Sequence, residues 1–386
     1  MKYWWILGLL VVMTLLAMPR KASAMTPFAR NYTMPCSACH SPAPPRLNDF
    51  GRTFKENGYY MPGGKVFSPN ELLELNEYPP IQVRLIAFLV SHQKSQPKAT
   101  RTQFTIPSEA DIQMATAFGP SFSSFAEVVT TTGSGGGASV GTATMDWHAA
   151  KNRVSVRAGN FQPTNWLDTS IGCGMRRLTR QGCAFEEHMP ASSSLSGVQA
   201  IDSETAGFSI YGRPTPPLWV DVSVVEGDTA NGQKDFWGHA AWRFKNKYEV
   251  HAFGYMGKVG ATPAKYSRMG VGVNLPVAKA LVTGAWSSED YSRNAFGEGD
   301  LTNANQDAKY STGYVGVTYP FTPRTYGDAR WEFINSHNVA TKENKNLTTV
   351  QLGYLIRLNV RTAVEFTADS KDSKNNILTW LVDLDT

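Results

Sequence analysis

The stretch Val350-Gln351-Leu352-Gly353-Tyr354-Leu355-Ile356-Arg357-Leu358 sets Val350, Leu352, Tyr354, Ile356 and Leu358 on alternate positions, with Gln351, Arg357 and then Asn359 on the others. A period of two marks a strand with one apolar and one polar face. The pattern recurs outward from this stretch. Val364 and Phe366 alternate with Glu365 and Thr367, and Leu378, Trp380, Val382 and Leu384 alternate with Thr379 and Asp383. Further back, Val220, Val222 and Val224 alternate with Asp221 and Ser223. From about Ile81 to Thr386 such runs are broken by Gly, Asn, Asp, Pro and Ser, with no helical period between them.

A soluble β-sandwich and a membrane barrel both produce this alternation, and the polar face separates them. Arg153, Arg157, Arg243, Arg330 and Arg357 fall on that face. Inside a sandwich such charges would be costly to bury, whereas a barrel lumen is wet. Apolar positions carry Trp219, Trp242, Tyr319, Phe321, Trp331 and Phe333 near the run ends, as in the aromatic girdles at membrane interfaces. At roughly 10 residues per strand, positions 79–386 accommodate about 14 to 18 strands. The expected fold is mainly β: an outer-membrane β-barrel of about 16 strands. The Gly-rich run Gly133-Ser134-Gly135-Gly136-Gly137 lacks the lysine and helix of a phosphate loop and reads as a flexible surface loop.

The chain ahead of the barrel differs in kind. Cys36-Ser37-Ala38-Cys39-His40 is a Cys-x-x-Cys-His motif, the pattern by which two thioethers and one axial imidazole hold a c-type haem. A zinc site needs about four ligands, and Cys173 and Cys183 lie far away without a second Cys-x-x-Cys. A thioredoxin-like dithiol would sit in a βαβ pattern that the flanks lack. Residues 25–78 read as a small, mostly helical monohaem segment. Leu47, Phe50 and Phe54 share one helical face ending at Gly58, and Asn70 caps a second short helix through Leu75. A segment this short cannot bury a sufficient core unaided, so haem or a larger neighbour must complete it.

Haem attachment to this motif takes place outside the cytoplasm, and residues 1–24 read as a signal peptide. Lys2, the apolar run Trp4 to Met18 and Ala22-Ser23-Ala24 supply its three regions. The apolar run is shorter than the roughly 20 residues of a membrane-spanning helix, which favours cleavage over an uncleaved anchor. The chain carries 37 basic and 32 acidic residues, and losing Lys2, Arg20 and Lys21 leaves 34 basic. So even a balance argues against nucleic acid as a partner. In an exported chain Cys173 and Cys183 are expected to form a disulfide, the alternative being two thiols.

Phe28-Ala29-Arg30, the Cys36 to His40 motif and Phe50-Gly51-Arg52-x-Phe54-Lys55-x-Asn57-Gly58-Tyr59 together resemble the N-terminal signature of the fused monohaem cytochrome-porins of iron-oxidising bacteria. The match covers residues 26–60. Over the barrel the similarity is one of architecture, and the chain ends Leu384-Asp385-Thr386, without the final aromatic residue usual in outer-membrane barrels. The resemblance implies one covalent haem c and electron transfer at the outer membrane.

Cys36 and Cys39 are the expected thioether residues and His40 the proximal ligand. Met61 is the first choice for the sixth position, because a thioether raises the potential toward that of an Fe(II) donor; Met34, His92 and an open site compete. Arg30 and Arg52 suit haem propionates, or else are solvated. The expected activity is transfer of single electrons from extracellular Fe(II) to a periplasmic cytochrome c, in contact with outer-membrane lipid and without an acid, base or nucleophile. The rivals are a haem-plugged diffusion porin, a conduit running outward to an extracellular acceptor, and a soluble periplasmic haem peroxidase.

Overall fold

The computed structural model describes residues 32, 34–40, 47–61, 81–92, 102–118, 121–131, 137–149, 153–164, 204–227, 232–245, 247–259, 264–292, 308–337, 344–357, 360–371 and 376–385. The signal peptide, Arg30, the Asn70 helix and the Cys173 and Cys183 pair lie outside them. Two helices come first, α1 (Cys36–Cys39) and α2 (Asp49–Glu56). The strands follow as β1 (Ile81–His92), β2 (Thr102–Phe118), β3 (Phe122–Thr131), β4 (Ala138–Ala149), β5 (Val154–Phe161) and β6 (Thr205–Thr215). Next are β7 (Leu218–Glu226), β8 (Lys234–Phe244), β9 (Tyr248–Val259), β10 (Ala264–Val277) and β11 (Ala280–Tyr291). The set is completed by β12 (Ala308–Pro320), β13 (Thr325–His337), β14 (Lys345–Arg357), β15 (Val360–Asp369) and β16 (Ile377–Asp385).

All sixteen strands pair antiparallel with their sequence neighbours, and β1 pairs with β16 to close the barrel. Closure removes the exposed edges that an open sheet would present to lipid. The two- and three-residue turns all lie at one end. Pro216 and Pro217 join β6 to β7, and Ala278 and Lys279 join β10 to β11. At the other end the connections are longer, including residues 162–204 between β5 and β6 and residues 292–307 between β11 and β12. Ile81 pairs with Met114 and Arg84 with Asp385, so the barrel begins and ends on the short-turn side. In outer-membrane barrels that side is periplasmic and the long loops are extracellular.

The radial distribution of polarity is inverted relative to a soluble protein. On β14, Val350, Leu352 and Tyr354 are 55%, 57% and 44% exposed, while Thr349 and Gln351 on the alternate positions are buried. Val222, Val364, Phe366, Leu378 and Trp380 likewise face outward, and Asp221, Glu365, Thr367 and Thr379 inward. An apolar exterior around a charged interior is stable only in lipid. The chain is therefore an outer-membrane β-barrel. Exposed Phe122, Trp147, Trp242, Phe244, Tyr319 and Phe321 form an aromatic girdle around the short-turn end.

Three expectations need correction. Trp219 is 1% exposed and faces the lumen, since it shares strand parity with Asp221 and Ser223. Arg153 lies in the β4 to β5 turn and is exposed rather than lining the interior. Leu47 precedes α2 and bridges His40, so only Phe50 and Phe54 of the expected trio are helical. Arg157, Arg243 and Arg330 do point inward, each against carboxylates: Arg157 Nε donates to Asp146 at 2.8 Å and Arg330 Nε to Glu332 at 2.6 Å. Pairing offsets part of the desolvation cost of burying these charges.

Candidate functional site at the short-turn mouth

The motif turn and α2 form one unit. In α1 a single helical turn puts positions 36 and 39 on one face, and His40 follows directly. Asn48 joins this turn to the next helix. Its Nδ2 donates to Ala38 O at 2.9 Å and its Oδ1 caps α2 by accepting from Gly51 N at 2.9 Å. Asn48 N also donates to Cys39 O at 2.8 Å. A side chain at position 51 would collide with the Cys39 backbone, so glycine is required where the two helices meet. The His40 to Leu47 bridge then closes the intervening loop.

An amphipathic helix ordinarily keeps its charged face in water, yet in α2 Arg52, Lys55 and Glu56 are buried along with Phe54. The barrel wall explains this. Glu56 accepts from Arg213 of β6 and, at 3.3 Å, from Arg243 of β8. Arg243 Nη1 also donates to Thr53 Oγ1 at 3.2 Å, and Trp219 Nε1 of β7 to Glu56 O at 3.5 Å. Arg52 bonds Asp49 and lies 3.5 Å from Glu249 of β9.

Beyond the helix, Gly58 adopts a φ of 67° and its O accepts from Ser123 Oγ at 2.8 Å. His148 stacks on Tyr60 with ring centroids 4.9 Å apart, and Tyr59 meets Phe125 at 5.6 Å. These wall residues belong to the short-turn ends of β3, β4, β6, β7, β8 and β9. The segment is a plug docked on the lumen wall near that mouth.

Whether this unit suits a haem can be judged from its surroundings. Phe50, in the first turn of α2, remains 41% exposed and stacks on Phe54 at 6.4 Å. It is next in sequence to Gly51, whose Cα meets the Cys39 backbone. Tyr32 packs edge-on against Phe54 at 5.3 Å, and its hydroxyl accepts from Met61 N at 3.0 Å. Met61 is thereby tied to the same aromatic cluster. The His40 imidazole with the exposed Phe50 ring on the adjoining helix fits one side of a haem, and Met61 is joined through its backbone to the aromatic cluster of that helix. His92 ends β1 at the long-loop side, the opposite end of the barrel from the docking contacts, so the fold does not bring it to the motif. Met34 is half-buried ahead of α1. Arg52 is engaged by two carboxylates.

The sequence reading did not foresee Glu56, Arg213, Glu249, Ser123, His148 or Gly58 as docking residues. Strand parity assigns the wall members to the inner face, but contacts such as Glu56 with Arg213 span 157 positions and leave no local trace. Among the described residues, no group of three or more His, Cys, Asp or Glu side chains is arranged to hold a metal ion.

No family model matches the chain, and no curated protein matches it in sequence. Solved structures do share its fold. The anion-selective porin from Comamonas acidovorans aligns with a TM-score of 0.58 at 11% identity, covering 79% of this chain and 98% of that one. A loop-deleted OmpT, an outer-membrane protein of Vibrio cholerae, gives 0.56 at 15% identity over 79% and 98%. The outer-membrane channel DcaP of Acinetobacter baumannii gives 0.53 at 13% identity over 79% and 96%. At these identities the likeness is one of fold.

Proposed function

We propose that this porin-type barrel is an electron conduit of the outer membrane, in which single electrons from extracellular Fe(II) pass inward to a periplasmic cytochrome c through one haem c carried by the plug. The observation that carries the reading is the joining of the Cys36 to His40 turn to a helix docked at the periplasmic mouth by Glu56, Arg213, Arg243 and Glu249. In this reading Cys36 and Cys39 would hold the haem covalently and His40 and Met61 would bind its iron. Arg30 is assigned to a propionate and Arg52 to docking. Bound there, the haem supplies a one-electron Fe(II)/Fe(III) couple. The protein's part is to position that couple where a soluble carrier can reach it, and the wall gives the short segment the packing it cannot build alone.

A diffusion porin with the segment as a plug is the second reading, favoured by structural neighbours described as a porin and a channel. Conductance in planar bilayers separates the two. A conduit gives small or no steady ionic current together with a reducible haem; a diffusion porin gives steady open channels and does not require haem.

A further inference from the structure

We propose that the short turns form a cationic rim on which a soluble periplasmic protein docks through an acidic face; that this protein is the electron carrier rests on the haem reading above. Seven connections close the strands at the short-turn end: residues 119–121, 150–153, 216–217, 245–247, 278–279, 321–324 and 358–359. Their ionisable side chains are Lys151, Arg153, Lys245, Lys247, Lys279 and Arg324, and none is acidic. The long connections mix the signs: residues 292–307 hold Arg293 with Glu298, Asp300 and Asp307.

Arg153, Lys245, Lys247, Lys279 and Arg324 are exposed. Among the described residues none of the five stands in an ion pair, whereas Arg157, Arg243 and Arg330 of the inner wall each face carboxylates. A single exposed lysine only adds solubility, but one sign on every charged turn of a face sets up a field. Lys245 adds a second observation. It holds a φ of 49°, a conformation that favours glycine or asparagine, so this turn carries its cation against local preference.

The rim runs as an arc from β4 to β13, past the docked plug. Arg153 follows β4, whose His148 stacks on Tyr60. Lys245 and Lys247 join β8 to β9, whose Arg243 and Glu249 meet α2. Lys279 and Arg324 carry the arc onward, and Asp385, where β16 ends, lies on the remaining arc. The described acids of the plug, Glu56 and Asp49, are paired with Arg213, Arg243 and Arg52, so they cancel little of the rim's charge.

A carrier that must leave after each electron suits a small contact steered by charge rather than a large apolar one. Cations gathered on one face raise the encounter rate of an oppositely charged partner by about 10- to 1000-fold, and salt removes the gain. Phospholipid headgroups carry anions too, but a lipid contact calls for cations all round the barrel. Here Arg153, Lys245 and Lys247 stand on strands that hold the plug, and the arc from β14 to β3 has no charged turn.

The test uses the purified protein in nanodiscs of phosphatidylcholine, with mitochondrial cytochrome c and its lysine-succinylated form as a basic and an acidic probe of similar size. The acidic form is expected to bind, its affinity falling about tenfold or more between about 20 and about 300 mM salt, and the basic form is expected not to bind. Arg153→Gln/Lys245→Gln/Lys247→Gln/Lys279→Gln weakens that binding about tenfold or more at low salt, while Lys309→Gln/Lys371→Gln, at the long-loop end, behaves as the parent protein. Electron transfer from the reduced haem to the oxidised acidic probe, followed by stopped flow, slows in step. Binding of neither form, equal binding of both, or an unaffected quadruple variant overturns the rim, even where the haem exchanges electrons with both forms. Failure to bind the acidic probe together with rim-dependent retention of phosphatidylglycerol from mixed nanodiscs makes the rim a lipid contact and also overturns it. Rim-dependent binding by a protein that carries no haem upholds the docking surface and overturns the haem reading, and with it the partner's identity as a carrier.

Discussion

At Gly58 the backbone turns through a φ of 67° while the space beside its Cα is taken by the Tyr211 hydroxyl and the His148 ring. Both constraints exclude a side chain. Gly58→Ala is expected to weaken plug docking by roughly 2 kcal/mol, read as proteolysis of residues 25–78 at protease levels that leave the parent protein intact. Position 51 is constrained by a different contact, the Cys39 backbone. Gly51→Ala should separate the motif turn from α2 and lower covalent haem content, measured as the haem-to-protein absorbance ratio. Cys39→Ser is expected to retain the barrel, judged by its resistance to unfolding in detergent, while losing a thioether. A Cys39→Ser protein with unchanged covalent haem would contradict the assignment of that residue.

At the scale of elements, docking of α2 depends on Glu56 facing Arg213 and Arg243. Truncating one partner of a buried charge pair costs about 3–5 kcal/mol because the other is left unpaired. Glu56→Lys goes further by placing a third cation among them. It is expected to release the plug and raise single-channel conductance in planar bilayers, and an unchanged conductance would show that this contact does not hold the lumen closed.

The strands themselves were legible because lipid outside and charge inside impose a period of two on β7, β14, β15 and β16 alike. Trp219 was misread because its aromatic character was weighed above its parity with Asp221. The α2 helix was legible from the spacing of Phe50 and Phe54, but the burial of Arg52, Lys55 and Glu56 was not. Helical periodicity reports which face is polar and carries no information about a charged wall contributed by strands β6 to β9.

For the molecule as a whole, the inverted polarity makes lipid the solvent that holds the barrel together. Val222, mid-strand on β7 and 61% exposed, is predicted to be intolerant of charge. Val222→Arg should cost about 2–4 kcal/mol if it lies near the bilayer midplane, measured by reversible unfolding in lipid vesicles. Sixteen strands also leave a lumen wide enough for a helix, and the described docking contacts lie at its short-turn end.

The central claim is that electrons from Fe(II) reach a haem held by Cys36, Cys39 and His40. Stopped-flow absorbance of the oxidised, detergent-purified protein mixed with Fe(II) tests it most directly. The account predicts rapid appearance of the reduced c-type haem bands, lost in His40→Ala. A protein that carries haem yet stays oxidised under Fe(II), across the pH range in which the barrel remains folded, would contradict it and leave a plugged porin or an outward-directed conduit.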